Sequence, residues 1–210
     1  MKIILLIFAF AISGLSYSQS LRPNSLADLN TKDYLKQLDN QVFVSYSYIR
    51  NLGNFGDVYK SGSGITLNYG KYFPNSWLAI LRVGIINHEL RTGIDSGGYT
   101  NFKVYPLHVG GRFYVYKNIV MPYFSFMNGL NLVSTSNFLG DKDVEDQFLV
   151  RYAFQVGFGF DVKFARNFGA NLNINYNNSF YEDYDIFIQQ NSKMMTGFEY
   201  GAGLSYDLGK

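Results

Sequence analysis

Apolar and polar residues alternate along most of this chain with a period of two residues. This period is typical of β-strands with one apolar face, because successive side chains of a strand point to opposite sides of the sheet. The alternation divides the chain into eight segments, which are joined by three very short and four long connections. Since a very short connection joins only antiparallel strands, the pattern predicts an all-β chain of eight antiparallel strands.

The turn at Lys117-Asn118 sets the register of one predicted hairpin by pairing Tyr116 with Ile119. Paired residues share a face of the sheet, so this register sorts both strands into two faces. The apolar face collects Leu107, Val109, Gly111, Phe113, Val115, Val120, Pro122, Phe124, Phe126 and Leu130. The other face collects His108, Gly110, Arg112, Tyr114, Tyr123, Ser125, Met127, Gly129 and Asn131. We therefore expect the first face to meet lipid and the second to line a polar interior.

Two further predicted hairpins divide their residues in the same way. At Ala165-Arg166-Asn167 the apolar face contains Phe154, Val156, Phe158, Phe160, Val162, Phe164, Phe168, Ala170, Leu172, Ile174 and Tyr176. The opposite face contains Gln155, Gly157, Gly159, Asp161, Lys163, Asn171, Asn173, Asn175 and Asn177. At Pro74-Asn75-Ser76 the apolar face contains Ile65, Leu67, Tyr69, Phe73, Trp77, Ala79, Leu81, Val83 and Ile85, and the inward face contains Thr66, Asn68 and Arg82. Outer strands near Val42 to Ile49 and near Met195 to Leu208 complete the set.

The three hairpins predict an apolar outside and a polar inside, which is the reverse of a water-soluble barrel. A soluble β-sandwich also alternates, but its outward faces are polar. The predicted fold class is therefore an eight-stranded antiparallel transmembrane up-and-down β-barrel, with short periplasmic turns and long outer loops. The long loops are predicted at Arg50 to Lys60, His88 to Asn101, Ser134 to Asp146 and Asn178 to Lys193. The predicted aromatic girdle at the membrane interfaces contains Trp77, Phe164, Phe168 and Tyr176.

The first residues have the features of a secretory signal peptide. Met1-Lys2 is followed by an apolar stretch, Ile3 to Ile12, and then by small and polar residues, Ser13 to Ser20. A small-x-small site at Ser16-Tyr17-Ser18 predicts cleavage before Gln19 and export through the general secretory pathway. The alternative, an uncleaved membrane helix, needs roughly 20 apolar residues.

Composition and charge exclude several kinds of function. The chain contains no Cys, which excludes disulfides, thiolate metal sites and cysteine nucleophiles. Removing the signal with Lys2 takes one positive charge from the formal net charge of +2, which leaves +1 and does not point to a nucleic-acid partner. Carboxylates cluster in two predicted loops, but their spacing matches no calcium-binding loop. We therefore expect neither a metal nor a cofactor.

Four sequence stretches resemble a known family: VYPLHVGGRFYV, MPYFSFMNGLNLV, FQVGFGFDVKFARNFGANLNINYNNSF and GFEYGAGLSYDLGK. They are similar to the small outer-membrane β-barrels of Gram-negative bacteria, the "porin family" with barrels like those of outer membrane proteins A and X. The signal ending in Ser-Gln and the Asn- and Tyr-rich composition look most like members from the Bacteroidota. The resemblance implies location in the outer membrane and contact with its lipid and lipopolysaccharide. It also implies an assembly signal, read by the outer-membrane assembly machinery, at Glu199, Gly201, Leu204 and Tyr206.

The sequence thus divides into a signal peptide at 1–18, a periplasmic N-terminal segment at 19–40 and a barrel domain at 41–210, with no further domain expected. Within the second part, Ser25 is a candidate cap for a short helix whose partial apolar stripe contains leucines. This segment is either a docking element or plug, or a flexible linker, because isolated helices this short are marginal.

Charged residues on the inward face are the candidate functional site. Arg82, Arg112 and Asp161 follow or precede their short turns by similar numbers of residues, and Glu199 lies at a similar depth. Arg151 lies farther from the turns. Buried charges must pair, so we predict an internal ion-pair network. Such a network either packs the interior for rigidity or acts as the gate of a small pore.

No enzymatic activity is predicted. His88 and His108 are the only histidines, and neither lies in a recognisable nucleophile motif. The predicted function is a structural or interaction role in the outer membrane, either alone or as an accessory subunit of an envelope complex with protein partners. The alternative is a narrow passive channel for ions or small solutes, gated by the inward Arg and Glu residues.

Overall fold

The computed structural model describes residues 38–73, 76–89, 91, 99–139, 142–165, 167–180 and 194–209. The strands are β1 Leu38–Leu52, β2 Gly62–Phe73, β3 Trp77–Glu89, β4 Tyr99–Tyr114, β5 Val120–Leu139, β6 Lys142–Lys163, β7 Phe168–Phe180 and β8 Met194–Gly209. Each strand pairs antiparallel with the next, and β1 pairs with β8 to close the barrel. This architecture confirms the predicted fold class. The predicted signal peptide and the segment up to residue 37 lie outside the described residues.

One short helix, α1 (Gly53–Val58), lies in the connection between β1 and β2. Nowhere in the described ranges is there a helix with the length and apolar character needed to cross a bilayer.

Burial alternates along the strands as the sequence pattern predicts. Asn171 is 1% exposed, whereas the next residue, Leu172, is 42% exposed. On β3, Arg82 is buried while its neighbours Leu81 and Val83 are exposed. The polar faces of the three predicted hairpins therefore line the interior, and their apolar faces form the outer surface.

Two of the three predicted hairpin registers are confirmed and one is wrong. Phe73 pairs with Trp77 as the turn at Pro74-Asn75-Ser76 predicts, and Lys163 pairs with Gly169 as the turn at Ala165-Arg166-Asn167 predicts. The Lys117-Asn118 hairpin instead pairs Tyr114 with Tyr123, so its connection is longer than predicted. Asn118 explains part of this difference, because its side-chain Oδ1 accepts a hydrogen bond from the Ile119 amide at 2.8 Å within the connection. The shift is by an even number of residues, so every side chain keeps its predicted face.

The long loop predicted at Ser134 to Asp146 is wrong. β5 continues to Leu139 and β6 begins at Lys142, and the two strands pair along this stretch. Pairing satisfies backbone N–H and C=O groups for each residue added to the ladder, and acidic residues near the tip of a hairpin do not prevent it. Of the other connections, 92–98 and 181–193 lie outside the described residues.

Inward glycines leave room for large side chains on other strands. A Cβ atom on Gly159 would lie 2.5 Å from the Tyr123 hydroxyl oxygen, and one on Gly201 would lie 2.5 Å from Asn173 Oδ1. An eight-stranded barrel is just wide enough for side chains to fill it. The glycines therefore determine where aromatic and amide groups fit inside.

Candidate functional site

The ion pair between Arg112 and Asp161 lies in the interior near the end of the barrel that carries the short connections, which we name the turn end. Arg112 Nη1 is 3.0 Å from Asp161 Oδ1, and the Tyr114 hydroxyl donates to Oδ2 at 2.5 Å. The guanidinium carbon of Arg112 lies 4.3 Å from the ring centroids of both Phe43 and Tyr123. Ion pairing and two cation–π contacts thus compensate this cation for its removal from water. We name Arg112 and Asp161 the turn-end pair.

A second ion pair joins Arg82 and Glu199. It lies farther from the turn end than the turn-end pair does, towards the opposite end, which we name the loop end. We name Arg82 and Glu199 the central pair. Arg82 Nη2 is 2.7 Å from Glu199 Oε1, to which Ser47 Oγ also donates at 2.8 Å. The side-chain amides of Gln155 and Asn177 donate to Oε2 at 2.8 and 2.9 Å. Gln155 Oε1 in turn accepts a bond of 2.8 Å from Arg82 Nη1. Polar groups from several strands therefore surround this carboxylate with hydrogen-bond donors.

A third buried ion pair joins Lys163 and Asp207, and the sequence-based prediction does not contain it. Gln41 Nε2 donates to Asp207 Oδ1 at 3.0 Å. Both charged residues lie on inward positions of the alternating pattern, so the signal is present in the sequence. Their side chains meet in the interior in front of β7, because β6 and β8 are not neighbours in the sheet but flank that strand.

The structure brings four of the five predicted charged residues together as two separate pairs. Among the residues that the structure describes, no hydrogen bond or ion pair joins the turn-end pair to the central pair. Arg151 is also buried, on β6, and its Nη1 donates to the Val150 carbonyl at 3.2 Å.

Two small cavities lie on either side of the central pair. The cavity towards the loop end has a volume of about 30 Å³ and is bordered by Arg82, Glu199, His88 and His108, among others. The cavity towards the turn end has a volume of about 20 Å³ and is bordered by Arg82, Glu199 and Arg112. A cavity needs roughly 10–15 Å³ to hold a water molecule. The central pair therefore lies between two spaces that are each large enough for a water molecule.

The α1 connection closes the loop end of the interior. Phe55 on α1 and Tyr59 just after it are 1% and 2% exposed, and their stacked rings have centroids 5.0 Å apart. They form one apolar cluster with Ile49, Ile86, Val104 and Val133. Burial of these two rings stabilises α1 against the barrel mouth. We name the cluster the loop-end plug.

The two histidines take part in local hydrogen bonds near the loop end. Asn51 Nδ2 donates to His88 Nδ1 at 3.1 Å and to the Lys60 carbonyl at 2.7 Å. His108 Nε2 makes a hydrogen bond of 2.9 Å with Asn131 Oδ1. Within the described ranges, no group of three or more His, Asp or Glu residues is arranged to hold a metal ion. Both histidines thus connect neighbouring elements of the interior.

Large apolar side chains cover the outside of the barrel, including the predicted girdle. Trp77, Phe164 and Phe168 are each about half exposed. The Trp77 ring packs beside Phe113 with centroids 5.3 Å apart, and the Phe168 ring packs edge-on to Tyr206 at 4.9 Å. At the other end, Tyr176 contacts Phe198 edge-on at 5.8 Å. Exposed or half-buried aromatic side chains thus flank the apolar surface towards both ends of the barrel.

The residues of the predicted assembly signal lie on β8 and divide between its two faces. Glu199 and Gly201 are buried on the inward face, whereas Leu204 and Tyr206 are exposed on the outward face. Leu204 is the most outward of them, with 66% of its surface exposed. The outer half of the motif is therefore accessible from the barrel surface.

Comparisons with known proteins find similarity in structure. No protein-family model and no curated protein matches the sequence. Neisserial surface protein A superposes with a TM-score of 0.57 at 16% identity, covering 80% of this chain and 97% of that chain. OprG of Pseudomonas aeruginosa gives 0.55 at 12% identity, covering 83% and 98%. Ail of Yersinia pestis gives 0.51 at 17% identity, covering 81% and 98%. At these identities the likeness establishes a shared fold, that of the small outer-membrane β-barrels.

Proposed function

We propose that this chain is an integral outer-membrane protein of a Gram-negative bacterium, exported through the general secretory pathway, with relatives in the Bacteroidota. The observation that carries the proposal is the apolar outer surface around a polar interior. A β-barrel in water would expose polar groups, whereas a bilayer requires an apolar band with aromatic girdles. Structural similarity to the outer-membrane protein OprG supports the same location. The names of two further similar structures, Neisserial surface protein A and the attachment invasion locus protein Ail, also fit a place at the cell surface.

The proposed role is structural or interactive, with no enzymatic activity. Support comes from the filled interior: aromatic residues and two ion pairs occupy the turn end, and the loop-end plug occupies the opposite end. A protein that works through its outer surfaces does not need an open interior. Its proposed contacts are membrane lipid and lipopolysaccharide, the assembly machinery that reads β8, and protein partners when it is an accessory subunit of an envelope complex.

The test is fractionation of cell envelopes, followed by gentle detergent extraction and measurement of the native mass. We expect the chain in the outer membrane, and Leu172→Arg should reduce its yield there. An arginine on the lipid face costs about 2–4 kcal/mol near the bilayer midplane. Val115→Arg is the matched control, because Val115 is exposed beyond the end of β4. A native mass near that of one chain supports a protein acting alone, a larger mass supports a subunit, and absence from the outer membrane contradicts the proposal.

A second candidate function is a narrow passive channel, and one observation favours it. The central pair separates two cavities along the interior, so opening of this pair would join them. Conductance across planar bilayers tests this function with Glu199→Ala, which removes the carboxylate of the central pair. An increase in conductance supports a gate at Glu199, whereas unchanged conductance contradicts it. Lys71→Gln is the control, because Lys71 lies exposed on the outer face.

A further inference from the structure

A pocket with two arginines lies at the loop end of the barrel, outside the interior described above. It has a volume of about 240 Å³ and is formed where β1 ends, beside α1 and Arg91. Arg50, Arg91, Asp57 and Ser61 are among the residues that line it. The space is several times larger than either interior cavity and is large enough for a phosphate group with part of its carrier.

The two arginines of this pocket have no anionic partner in the described part of the chain. The ion pairs that involve described residues employ other cations, including Lys60, whose Nζ lies 3.1 Å from Glu89 Oε2. Arg91 is fixed by a bond of 2.7 Å from its Nε to the Gly56 carbonyl on α1. Its guanidinium is therefore positioned beside the pocket before any ligand binds.

Two guanidinium groups beside one pocket favour an anion. Asp57 is the carboxylate that lines the pocket, so the lining still carries a net positive charge. A guanidinium presents its N–H groups in a planar fork, which matches two oxygens of a phosphate. A hydroxyl from Ser61 adds a further donor. The chemistry of the pocket therefore fits a phosphate group better than a neutral sugar.

The position of Arg50 indicates the source of that phosphate. Arg50 is exposed on β1 and follows the outward, exposed residues Tyr46 and Tyr48 at the same period of two. The ring of Tyr48 lies 6.4 Å from that of Tyr200, so an outward tyrosine pair lies just below Arg50. Outward tyrosines lie at the headgroup level of membrane barrels. Arg50 is therefore placed where phosphorylated headgroups of the outer leaflet are found.

We propose that the pocket between Arg50 and Arg91 binds the phosphate of a phosphorylated glycolipid in the outer leaflet. This inference rests on the proposed location in the outer membrane. The lipid would lie along the outer face of β1, with its phosphate against both guanidinium groups. Such a site would hold one lipid molecule against β1 and, through the Arg91 bond to the Gly56 carbonyl, would stabilise α1 in its observed position.

The test reconstitutes the full mature chain into phosphatidylcholine vesicles that contain a small fraction of lipid A. Vesicle flotation first reports insertion, and native mass spectrometry then counts retained lipid A. We expect the Arg50→Gln/Arg91→Gln variant to retain lipid A at least about tenfold more weakly, since it loses hydrogen bonds to a charged group. Lys71→Gln removes an outward cation on β2, and we expect it to retain lipid A as the unchanged protein does.

Three results would overturn the proposal. The first is equal retention of lipid A by the double variant, and the second is equal retention of dephosphorylated lipid A by the unchanged protein. The third is displacement of lipid A by millimolar inorganic phosphate, which would mean that the pocket serves a free anion. Failure of the chain to float with vesicles would instead contradict the outer-membrane location itself. Migration of the folded and heated forms in gel electrophoresis confirms that each variant is folded.

Discussion

The interior of the barrel is filled by different groups at the turn end and around the central pair. At the turn end, Arg112 is held between two aromatic rings and Asp161, and Lys163 pairs with Asp207. Farther towards the loop end, the central pair is surrounded by amide and hydroxyl groups and borders two cavities. Of the turn-end pair, Asp161 borders neither cavity, and Arg112 borders only the smaller one, where the rings of Phe43 and Tyr123 cover its guanidinium in place of rotatable amides.

This difference determines what happens when a charge is lost. A buried ion whose partner is removed is destabilising because nothing replaces the lost interaction. Where a water-sized space and rotatable amides lie beside the ion, part of the loss is compensated. The turn-end pair therefore has the features of a fixed structural element, and the central pair has the features of an element that can rearrange.

The largest effect is expected for Asp161→Asn. The change keeps the shape of the side chain but leaves the Arg112 guanidinium without its counter-charge inside the barrel. We expect the free energy of unfolding to fall by about 3–5 kcal/mol. Urea unfolding of the protein in lipid vesicles measures this change through the shift of the transition midpoint at a constant slope.

The matched control for this prediction replaces the whole polar group. The variant Arg112→Met/Tyr114→Phe/Asp161→Leu removes both charges and the hydroxyl that donates to Asp161. Replacement of a buried ion pair by apolar groups of similar volume is often neutral. We expect this variant to regain most of the lost stability. If it is as unstable as Asp161→Asn, the loss comes from packing and not from an unpaired charge.

A smaller loss is expected for Glu199→Gln. Arg82 keeps a hydrogen bond to Gln155 Oε1, and a flanking cavity of about 30 Å³ has room for a water molecule beside its guanidinium. We expect the unfolding free energy in the same vesicles to fall by about 1–3 kcal/mol. An equal loss in Glu199→Gln and Asp161→Asn would remove the distinction between a fixed and a rearranging pair.

The sequence was sufficient to predict which residues face inward, but only part of their pairing. Asn171, Asn173 and Arg82 could be assigned to the interior because alternation fixes the face of each strand residue. The register error at Lys117-Asn118 could not be detected in this way, since a shift by two residues exchanges no faces. The strand extension to Leu139 was also missed, because acidic residues near a hairpin tip resemble a loop in composition.

The partners of the buried charges could not be predicted from the sequence. Arg112 on β4 contacts Asp161 on β6, and Arg82 on β3 contacts Glu199 on β8. These contacts cross the interior between strands that are not neighbours, so they depend on the tilt and stagger of the closed barrel. Depth along each strand predicted that the four charges lie at similar levels, whereas Arg112 pairs with Leu78 in the sheet, four residues nearer the turn than Arg82. The role of Phe55 and Tyr59 was missed because one turn of helix in a long connection has no periodic signal.

The loop-end plug allows the two ends of the interior to be compared by labelling. The chain has no cysteine, so a cysteine introduced at Ile86 or at Met121 can be labelled without background. Ile86 belongs to the loop-end plug with Phe55, whereas Met121 belongs to a separate buried cluster at the turn end that includes Leu78 and Tyr114. We expect Phe55→Ala to raise the labelling rate at Ile86→Cys by about tenfold, which corresponds to about 1.4 kcal/mol of easier local opening. The rate at Met121→Cys should stay unchanged, and an equal rise at both would mean that the whole barrel had loosened.

The smallest effect is expected for the exposed ion pair between Lys60 and Glu89 at the loop end. Their side chains are 48% and 69% exposed, so water and salt screen the attraction that the buried pairs retain. We expect Lys60→Gln to lower the unfolding free energy by less than about 1 kcal/mol, with the difference from the unchanged protein vanishing at high salt. Asp161→Asn should keep most of its effect at the same salt concentration, because ions in solution do not reach the turn-end pair. A salt-independent loss of several kcal/mol in Lys60→Gln would mean that Lys60 holds α1 in place by packing, and that the loop end depends on a fixed structural element of its own.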